Sequence, residues 1–134
     1  MNVLKALVAV VALFAGLTFT QCGSSDDKVI KEAAEQMNDM CPMEMGGGVR
    51  MDKVAAEAGK KLNITMTVST IDAGSQEAQM FTSMGKPMLA QAMKANNNPE
   101  FKGVKDMGVI FIFDIYDRNG ESIQKIEVTP DDYK

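Results

Sequence analysis

The eight residues from Val109 to Tyr116, VIFIFDIY, constrain the fold of this chain more than any other stretch. The first five are apolar without alternation, which is typical of a strand that is covered on both faces. Asp117 to Gly120 then predicts a hairpin turn, because glycine can adopt a positive φ. Ser122 to Thr129 is predicted to return as the paired strand. A central strand of this kind requires further strands beside it and a layer of helices over it.

Two amphipathic helices are predicted. The first runs from Asp27 to Met40 and ends before Pro42, since the residue that precedes a proline avoids helical angles. The second follows a cap at Asp72 to Ser75, and Pro87 should kink or break it because proline lacks the N–H that a helix needs. The apolar stripe of the second helix, which we expect to face the core, consists of Met80, Phe81, Met84, Met88, Leu89, Ala92 and Met93.

The N-terminus has the pattern of an export signal. Lys5 gives a positive start, and Ala6 to Leu17 is an apolar run of about a dozen residues, which is the length of a signal core and short for a bilayer span. The following Phe19-Thr20-Gln21-Cys22 resembles a bacterial lipoprotein signal, which implies that Cys22 is diacylated, with palmitate as the expected chain, and begins the mature protein. An ordinary cleaved signal peptide and an uncleaved anchor are the alternatives.

Acidic residues follow the predicted lipidation site. Ser25-Asp26-Asp27 resembles the surface-export signal that follows the lipid cysteine in some Gram-negative outer-membrane lipoproteins. The same residues suit a helix start, because serine caps free N–H groups and carboxylates suit the positive end of the helix dipole. The predicted organisation is a signal peptide at 1–21, a lipid-anchored tether at 22–26, a single domain at 27–130 and a loose acidic tail at 131–134.

The segment from Val49 to Ala58 is consistent with two structures. Its apolar spacing and good helix formers favour a helix. However, Cys41-Pro42, Arg50-Met51-Asp52 and the run from Leu62 to Val68 resemble a set of small uncharacterised bacterial lipoproteins of the Gram-negative outer-membrane type. In these, a helix that ends in Cys-Pro is followed by a β-hairpin, then by a helix and a second hairpin. The resemblance implies strands at 49–57 and 62–71 around a turn near Gly59-Lys60.

The predicted fold class is therefore α+β. We expect a two-layer structure in which a four-stranded antiparallel sheet is packed by two helices, in the order α-β-β-α-β-β. The second face of the sheet should carry either Ile110 and Ile112 or the alternate set that includes Phe111 and Phe113. If exposed, this apolar face would be a partner or dimer surface.

Composition excludes several classes of function. The chain has no His, which removes Ser-His and Cys-His nucleophile pairs, imidazole metal sites and the commonest general base. The formal net charge of −4 becomes −5 when the predicted signal is removed with Lys5. An acidic chain without a basic cluster argues against nucleic acid and against binding to anionic lipid headgroups. Membrane contact is therefore expected only through the anchor at Cys22.

Sulfur-containing side chains form the one candidate chemical site. Soft thioether and thiolate donors suit Cu(I), and Met40-Cys41-Pro42-Met43 resembles the Cys-Pro-Met core of some heavy-metal-binding domains. Those domains carry His and further Cys that are missing here, and packing also explains a methionine on a helix stripe. The predicted ligands are Cys41, Met43 and Met45, the last two of which fall in an expected glycine-rich loop at 43–48.

The sequence thus predicts a non-enzymatic lipoprotein of the outer membrane that faces either the cell surface or the periplasm. Its domain would bind a protein or glycan partner or have an envelope role, and no cofactor is expected. The alternative is a soft-metal protein that binds Cu(I) through segment 37–51. The sequence leaves the partner and the oligomeric state open.

Overall fold

The structure is a computed structural model of the 134-residue chain, and it describes residues 2–18, 26–95 and 99–133. In chain order the elements are α1 (Asn2–Thr18), α2 (Asp26–Asp39), β1 (Met43–Gly46), β2 (Val49–Glu57), β3 (Lys61–Val68), α3 (Gln76–Ala95), α4 (Pro99–Met107), β4 (Ile110–Asp117), β5 (Ser122–Val128) and α5 (Pro130–Tyr133). The predicted α+β class is confirmed. Within these described ranges, no helix is both long enough and apolar enough to cross a membrane.

One mixed sheet holds five strands in the order β1-β2-β3-β4-β5. The pairs β2–β3 and β4–β5 are antiparallel, as the two predicted hairpins require, and the additional pair β1–β2 is antiparallel as well. β3 and β4 are parallel, with Lys61 opposite Ile110 and Val68 opposite Asp117. The expectation of four wholly antiparallel strands packed by two helices is therefore wrong. The chain between β3 and β4 passes through α3 and α4, and a crossover of this length is what brings two strands together in parallel.

β1 is the strand that the sequence prediction lacked. The segment 43–48 was expected to be a loop, but Met43 pairs with Met51 and Glu44 pairs with Arg50. Gly47 and Gly48, with φ of 65° and 80°, form the tight turn that leads into β2. A two-residue hairpin turn of type I′ needs positive φ at both positions, which glycine adopts without steric cost. β2 itself spans the residues that the lipoprotein resemblance implied, so the helical alternative for this segment is wrong.

The hydrophobic core lies between the helices and one face of the sheet. β3 buries every second residue, from Leu62 to Val68, and β4 presents Phe111, Phe113 and Ile115 to the same cluster. Ile112 points to the opposite face, where its cross-strand neighbours are the polar residues Asn63 and Glu127. It is only 5% exposed. The open face therefore does not present the exposed apolar patch that was considered from the sequence.

α3 is continuous from Gln76 to Ala95, so Pro87 does not break the helix, which was one of the two expected outcomes. Gly85 is buried, and a Cβ atom there would lie 3.3 Å from Cδ1 of Ile126, which shows how closely this helix approaches β5. The helix buries the row at four-residue spacing that contains Phe81, Gly85, Leu89 and Met93. The adjacent row is outside the core, contrary to the predicted stripe: Met80, Met84 and Met88 are 50%, 45% and 37% exposed.

α5 replaces the loose tail expected at 131–134. Asp132 holds its first turn, because its Oδ2 accepts a hydrogen bond of 2.9 Å from the backbone N–H of Thr129. Tyr133 is fully buried and its hydroxyl donates to the carbonyl of Val109. A bulky aromatic residue with a hydrogen-bond partner thus fixes a segment whose charged neighbours suggested a solvated end. Lys134 lies outside the described residues.

α1 also belongs to the core. It packs against α2, α3, α4 and β1. The ring of Phe14 meets the ring of Phe111 edge to face, with centroids 5.6 Å apart. The residues of α1 that are fully buried lie on one face at helical spacing: Leu7, Val10, Val11 and Phe14.

Candidate functional site

The predicted lipidation site, Cys22, lies outside the described residues, as does Ser25 of the predicted surface-export signal. Asp26 and Asp27 are in the first turn of α2, and both contact Lys60 in the turn between β2 and β3. The Asp26 carboxylate lies 3.2 Å from Nζ of Lys60, and Oδ1 of Asp27 accepts a hydrogen bond of 3.0 Å from the Lys60 backbone N–H. Lys60 has a φ of 62°, which is uncommon for a residue with a side chain. Asp26 and Asp27 therefore stabilise a turn that holds Lys60 in an uncommon backbone conformation, whether or not they also direct export.

Cys41 follows the C-terminus of α2. Its thiol donates a hydrogen bond of 3.3 Å to the carbonyl of Met37, one of the acceptors that a helix end leaves free. Burial, and then the charge of Asp52, raise the pKa of the Cys41 thiol. The protonated form is thus favoured over the thiolate that reacts and binds metals.

Met43 and Met45 occupy alternate positions of β1, so their side chains lie on one face of the sheet. Both are half-buried and pack against the hydrophobic core, as Cys41 does. The structure thus gives each of the three predicted ligands a packing role. In the part of the chain that the structure describes, no three His, Cys, Asp or Glu residues are grouped to hold a metal ion. The Cu(I) site stays a prediction.

Asp117, the first residue of the predicted hairpin turn, is a buried carboxylate that is only 1% exposed. Its Oδ2 accepts a hydrogen bond of 3.0 Å from the N–H of Ala73, and its Oδ1 accepts bonds of 2.8 and 2.9 Å from the N–H groups of Asn119 and Glu121. These donors, that of Ala73 first, lower the pKa of Asp117. Because its acceptor positions are occupied by the backbone, Asp117 organises the hairpin turn and the approach to α3. An aspartate that opens an Asp-x-Asn-Gly turn is the sequence signal for such a role.

A cleft of about 630 Å³ lies between α2 and the outer edge of β2. It exists because β1 is short and pairs only with the first residues of β2. Asn38 closes one end, since its Oδ1 accepts a hydrogen bond of 3.0 Å from the N–H of Val54. The walls combine small apolar residues at 54–58 with Lys31, Glu35 and other charged side chains.

α1 covers an apolar surface of the fold. We define the α1 seat as the parts of α2, α3, α4 and β1 that contact α1, together with Phe111 of β4. Phe111 stacks on Phe113 at 6.4 Å and meets Tyr133 at 6.3 Å, so the floor of the seat is a fixed aromatic cluster. Such a surface can bind apolar side chains, but its aromatic rings are not catalytic groups.

Solved structures with the same fold come from three bacteria. One is a protein of Pseudomonas aeruginosa that its description proposes to be secreted, with 12% identity and a TM-score of 0.60 over 81% of this chain and 93% of that chain. The second is the pilotin EpsS of the Vibrio vulnificus type 2 secretion system, with 16% identity and a TM-score of 0.60 over 81% and 92%. The third is the type II secretion system pilotin AspS of Vibrio cholerae, with 16% identity and a TM-score of 0.56 over 80% and 91%.

At these identities the likeness shows a shared fold alone. No curated protein matches the sequence. Residues 24–124 match a family that is described as Domain of unknown function (DUF8479). The match runs from just before α2 into β5 and covers well over half of the chain. The chain therefore belongs to this family.

Proposed function

We propose that the mature protein is a non-enzymatic lipoprotein of the bacterial envelope, held in the outer membrane by acyl chains on Cys22, whose domain binds a protein partner. The observation that carries the proposal is the shared fold with two secretion-system pilotins, EpsS and AspS. It agrees with the export pattern of Ala6 to Leu17 followed by Cys22. Because secretion systems are protein assemblies, the likeness favours a protein over a glycan as partner.

The state of the reactive side chains supports a role without catalysis. General acid–base work needs a group with a free acceptor or donor position near the substrate. The buried carboxylate of Asp117 is occupied by three backbone N–H groups. The thiol of Cys41 donates to Met37, and the pKa of Cys41 is raised rather than lowered. The chain also has no His.

Lipidation is tested by metabolic labelling with palmitate and by the intact mass of the protein purified from bacterial membranes. We expect label in the wild type and a mass that corresponds to residues 22–134 with attached acyl chains. Cys22→Ser should abolish the label, whereas the matched Cys41→Ser variant, which removes the other cysteine, should keep it. A wild-type protein that retains residues 1–21, or that begins at residue 22 without lipid, would contradict the proposal.

Cu(I) binding by Cys41, Met43 and Met45 is the alternative that the sequence raised, and no contact among the described residues favours it. A competition titration with Cu(I) separates the two functions, with the Cys22→Ser chain compared with a chain that also carries Cys41→Ser. We expect neither chain to bind tightly. Tight one-to-one binding that depends on Cys41 would replace the proposed function with metal handling.

A further inference from the structure

Processing as a lipoprotein would remove α1, although α1 packs into the hydrophobic core. Its sequence has the pattern that predicts an export signal, and its buried face is part of the hydrophobic core. If Cys22 is the first residue of the mature protein, as proposed above, processing removes α1 and uncovers the α1 seat. Apolar surfaces of this kind are rarely left exposed on a soluble domain and mark places where another molecule binds.

We propose that the α1 seat of the mature protein binds a short amphipathic helix of a protein partner. This inference rests on the proposed function, because it requires that the signal is removed. The occupant is defined by the helix that the structure shows in place. Leu7, Val10, Val11 and Phe14 follow the spacing i, i+3, i+4 and i+7, which is the pattern of a helix that lays one face into a groove over two turns.

The seat is organised without α1. Its floor, Phe111, is held by ring contacts with Phe113 and Tyr133, both of which remain after processing. Phe14 meets Phe111 at an interplanar angle of 89°, the edge-to-face arrangement that aromatic pairs favour. A partner helix should therefore place an aromatic or large aliphatic side chain at this point. A preformed floor also reduces the ordering that binding requires.

The chemistry of α1 indicates what else the partner helix needs. Lys5 and Ala9 are exposed on α1, so polar residues are compatible with the outward face of the occupant. Among residues 5–14 of α1, whose burial the structure describes, no charged residue lies on the buried face. A carboxylate or ammonium group there would lose its hydration without gaining a partner.

Other helices of the mature chain do not fit the seat. α2 already buries its apolar residues, among them Ile30 and Met37. The exposed methionines of α3 are Met80, Met84 and Met88, which form a single row at i, i+4 and i+8 rather than the two-row stripe of α1. Neither helix of a second copy therefore offers an equivalent of α1, while α4 is itself part of the seat and α5 has only four residues, so the structure favours a helix from a different protein.

The seat is tested with the full chain, made without export and with Cys22→Ala, in which a specific protease site replaces part of 19–25. After cleavage, the probe is a labelled synthetic peptide of residues 2–18 that exchanges with the released α1. We expect saturable one-to-one binding by a soluble, monomeric domain.

A peptide with Phe14→Asp should bind at least about 100-fold more weakly, because its carboxylate would enter an apolar site. The matched peptide with Ala9→Asp should bind within about threefold of the wild type, since Ala9 is exposed.

A designed peptide tests whether the spacing suffices for recognition. It keeps only Leu, Val, Val and Phe at the spacing of α1 on an otherwise Ala, Glu and Lys helix, and it should bind within about tenfold of the α1 peptide. Failure of this peptide would overturn the assignment to amphipathic helices in general. Equal affinities of the wild-type and Phe14→Asp peptides, or a cleaved domain with the molar mass of a dimer, would overturn the seat itself.

If the cleaved domain precipitates, the proposal is tested with the uncut chain instead. With Phe14→Asp, we expect α1 to become susceptible to proteolysis while residues 26–133 keep their amide-exchange protection. Loss of protection throughout the domain would show that α1 is indispensable to the fold and would overturn the proposal. The peptide titration tests the seat alone, and the mass of the native protein tests processing, so the two failures are distinguishable.

Discussion

Tyr133 and Val109 are joined by a hydrogen bond of 2.6 Å in which the Tyr133 hydroxyl donates to the Val109 carbonyl. Val109 precedes β4, so the bond fixes α5 beside the start of the central strand. The tyrosine is fully buried, and burial raises the pKa of its hydroxyl. The group therefore stays protonated, and remains a donor, throughout the ordinary pH range.

Tyr133→Phe should lower the free energy of unfolding by about 1–2 kcal/mol, because the ring is kept while the buried Val109 carbonyl loses its donor. Urea denaturation at pH 7 measures the change. The matched control is Tyr116→Phe, a half-buried tyrosine on the opposite face of β4, which should change stability by less than about 0.5 kcal/mol. Equal losses in the two variants would show that the hydrogen bond does not stabilise the fold.

Asp117→Asn should destabilise the protein at neutral pH and much less at low pH. The backbone N–H of Ala73, together with two further donors, lowers the pKa of Asp117 below its ordinary value of 3.8. A carboxyl group with a lowered folded-state pKa contributes stability above the unfolded-state pKa and loses it as the pH falls through the folded-state pKa. The difference between wild type and Asp117→Asn should therefore shrink as the pH is lowered through and below 3.8.

The measurement is the urea midpoint of both proteins from pH 7 to pH 2.5. Asp114→Asn is the matched control, because Asp114 is a half-buried carboxylate of the same strand. It should give a smaller difference at pH 7. If the urea midpoints of wild type and Asp117→Asn differed by a constant amount over the whole pH range, the three donors would not be stabilising the charged form of Asp117.

The elements predicted correctly are those with a strong local signal. α2 was predicted within one residue at each end, since its buried stripe and its acidic first turn are both local. The Asp117–Gly120 turn was correct for the same reason. β2 was correct only through resemblance, because its apolar spacing also matched a helix.

The elements predicted wrongly depend on contacts between distant residues. Gly46, Gly47 and Gly48 suggested a loose loop, but they allow the tight turn that joins β1 to β2. The residues of β4 cannot specify that its neighbour β3 runs parallel, since the path of the crossover decides this. Two adjacent rows of α3 carry apolar side chains, and the elements that pack against the helix, β5 among them, select the row that is buried. The burial of Asp117 was not predicted because its principal donor, Ala73, is 44 residues away.

Gly48→Ala should be more destabilising than Gly46→Ala, although both glycines have a positive φ. A Cβ atom on Gly46 would meet nothing within 4 Å, so only the backbone cost of about 1–2 kcal/mol applies. On Gly48 it would lie 2.5 Å from Cγ2 of Thr70, so that the neighbour must move as well. We expect a total loss of about 2–4 kcal/mol for Gly48→Ala.

Thermal and urea unfolding of the two variants measure this difference. Thr70→Ala removes the nearest clashing atom, so the double variant with Gly48→Ala should recover most of the excess loss. Equal effects of the two single variants would show that the turn has room for a side chain at residue 48.

Cys41 should react with iodoacetamide at pH 8 several-fold more slowly than free cysteine. Burial, and next the charge of Asp52, raise the pKa of Cys41 and so lower the fraction of reactive thiolate at this pH. The measurement uses the Cys22→Ser chain, in which Cys41 is the single thiol. Asp52→Asn should increase the rate modestly, and denaturant should increase it more because burial is the larger cause. A rate equal to that of free cysteine in the folded protein would contradict the protected thiol.

Asp26→Ala combined with Asp27→Ala should leave the domain protected when whole cells are treated with protease, whereas the wild type should be digested. This outcome follows if Ser25-Asp26-Asp27 directs the lipoprotein to the cell surface.

The same substitutions also remove two contacts with Lys60, so a folding defect must be separated from a sorting defect. Lys60→Met is the matched control, because it removes the ion pair with Asp26 and keeps both carboxylates. An exposed pair of this kind contributes about 0.5 kcal/mol or less, so Lys60→Met should fold and remain accessible to protease. Protection of Lys60→Met as well would assign the effect to folding, and digestion of the double variant would mean that these acids serve α2 and its turn alone.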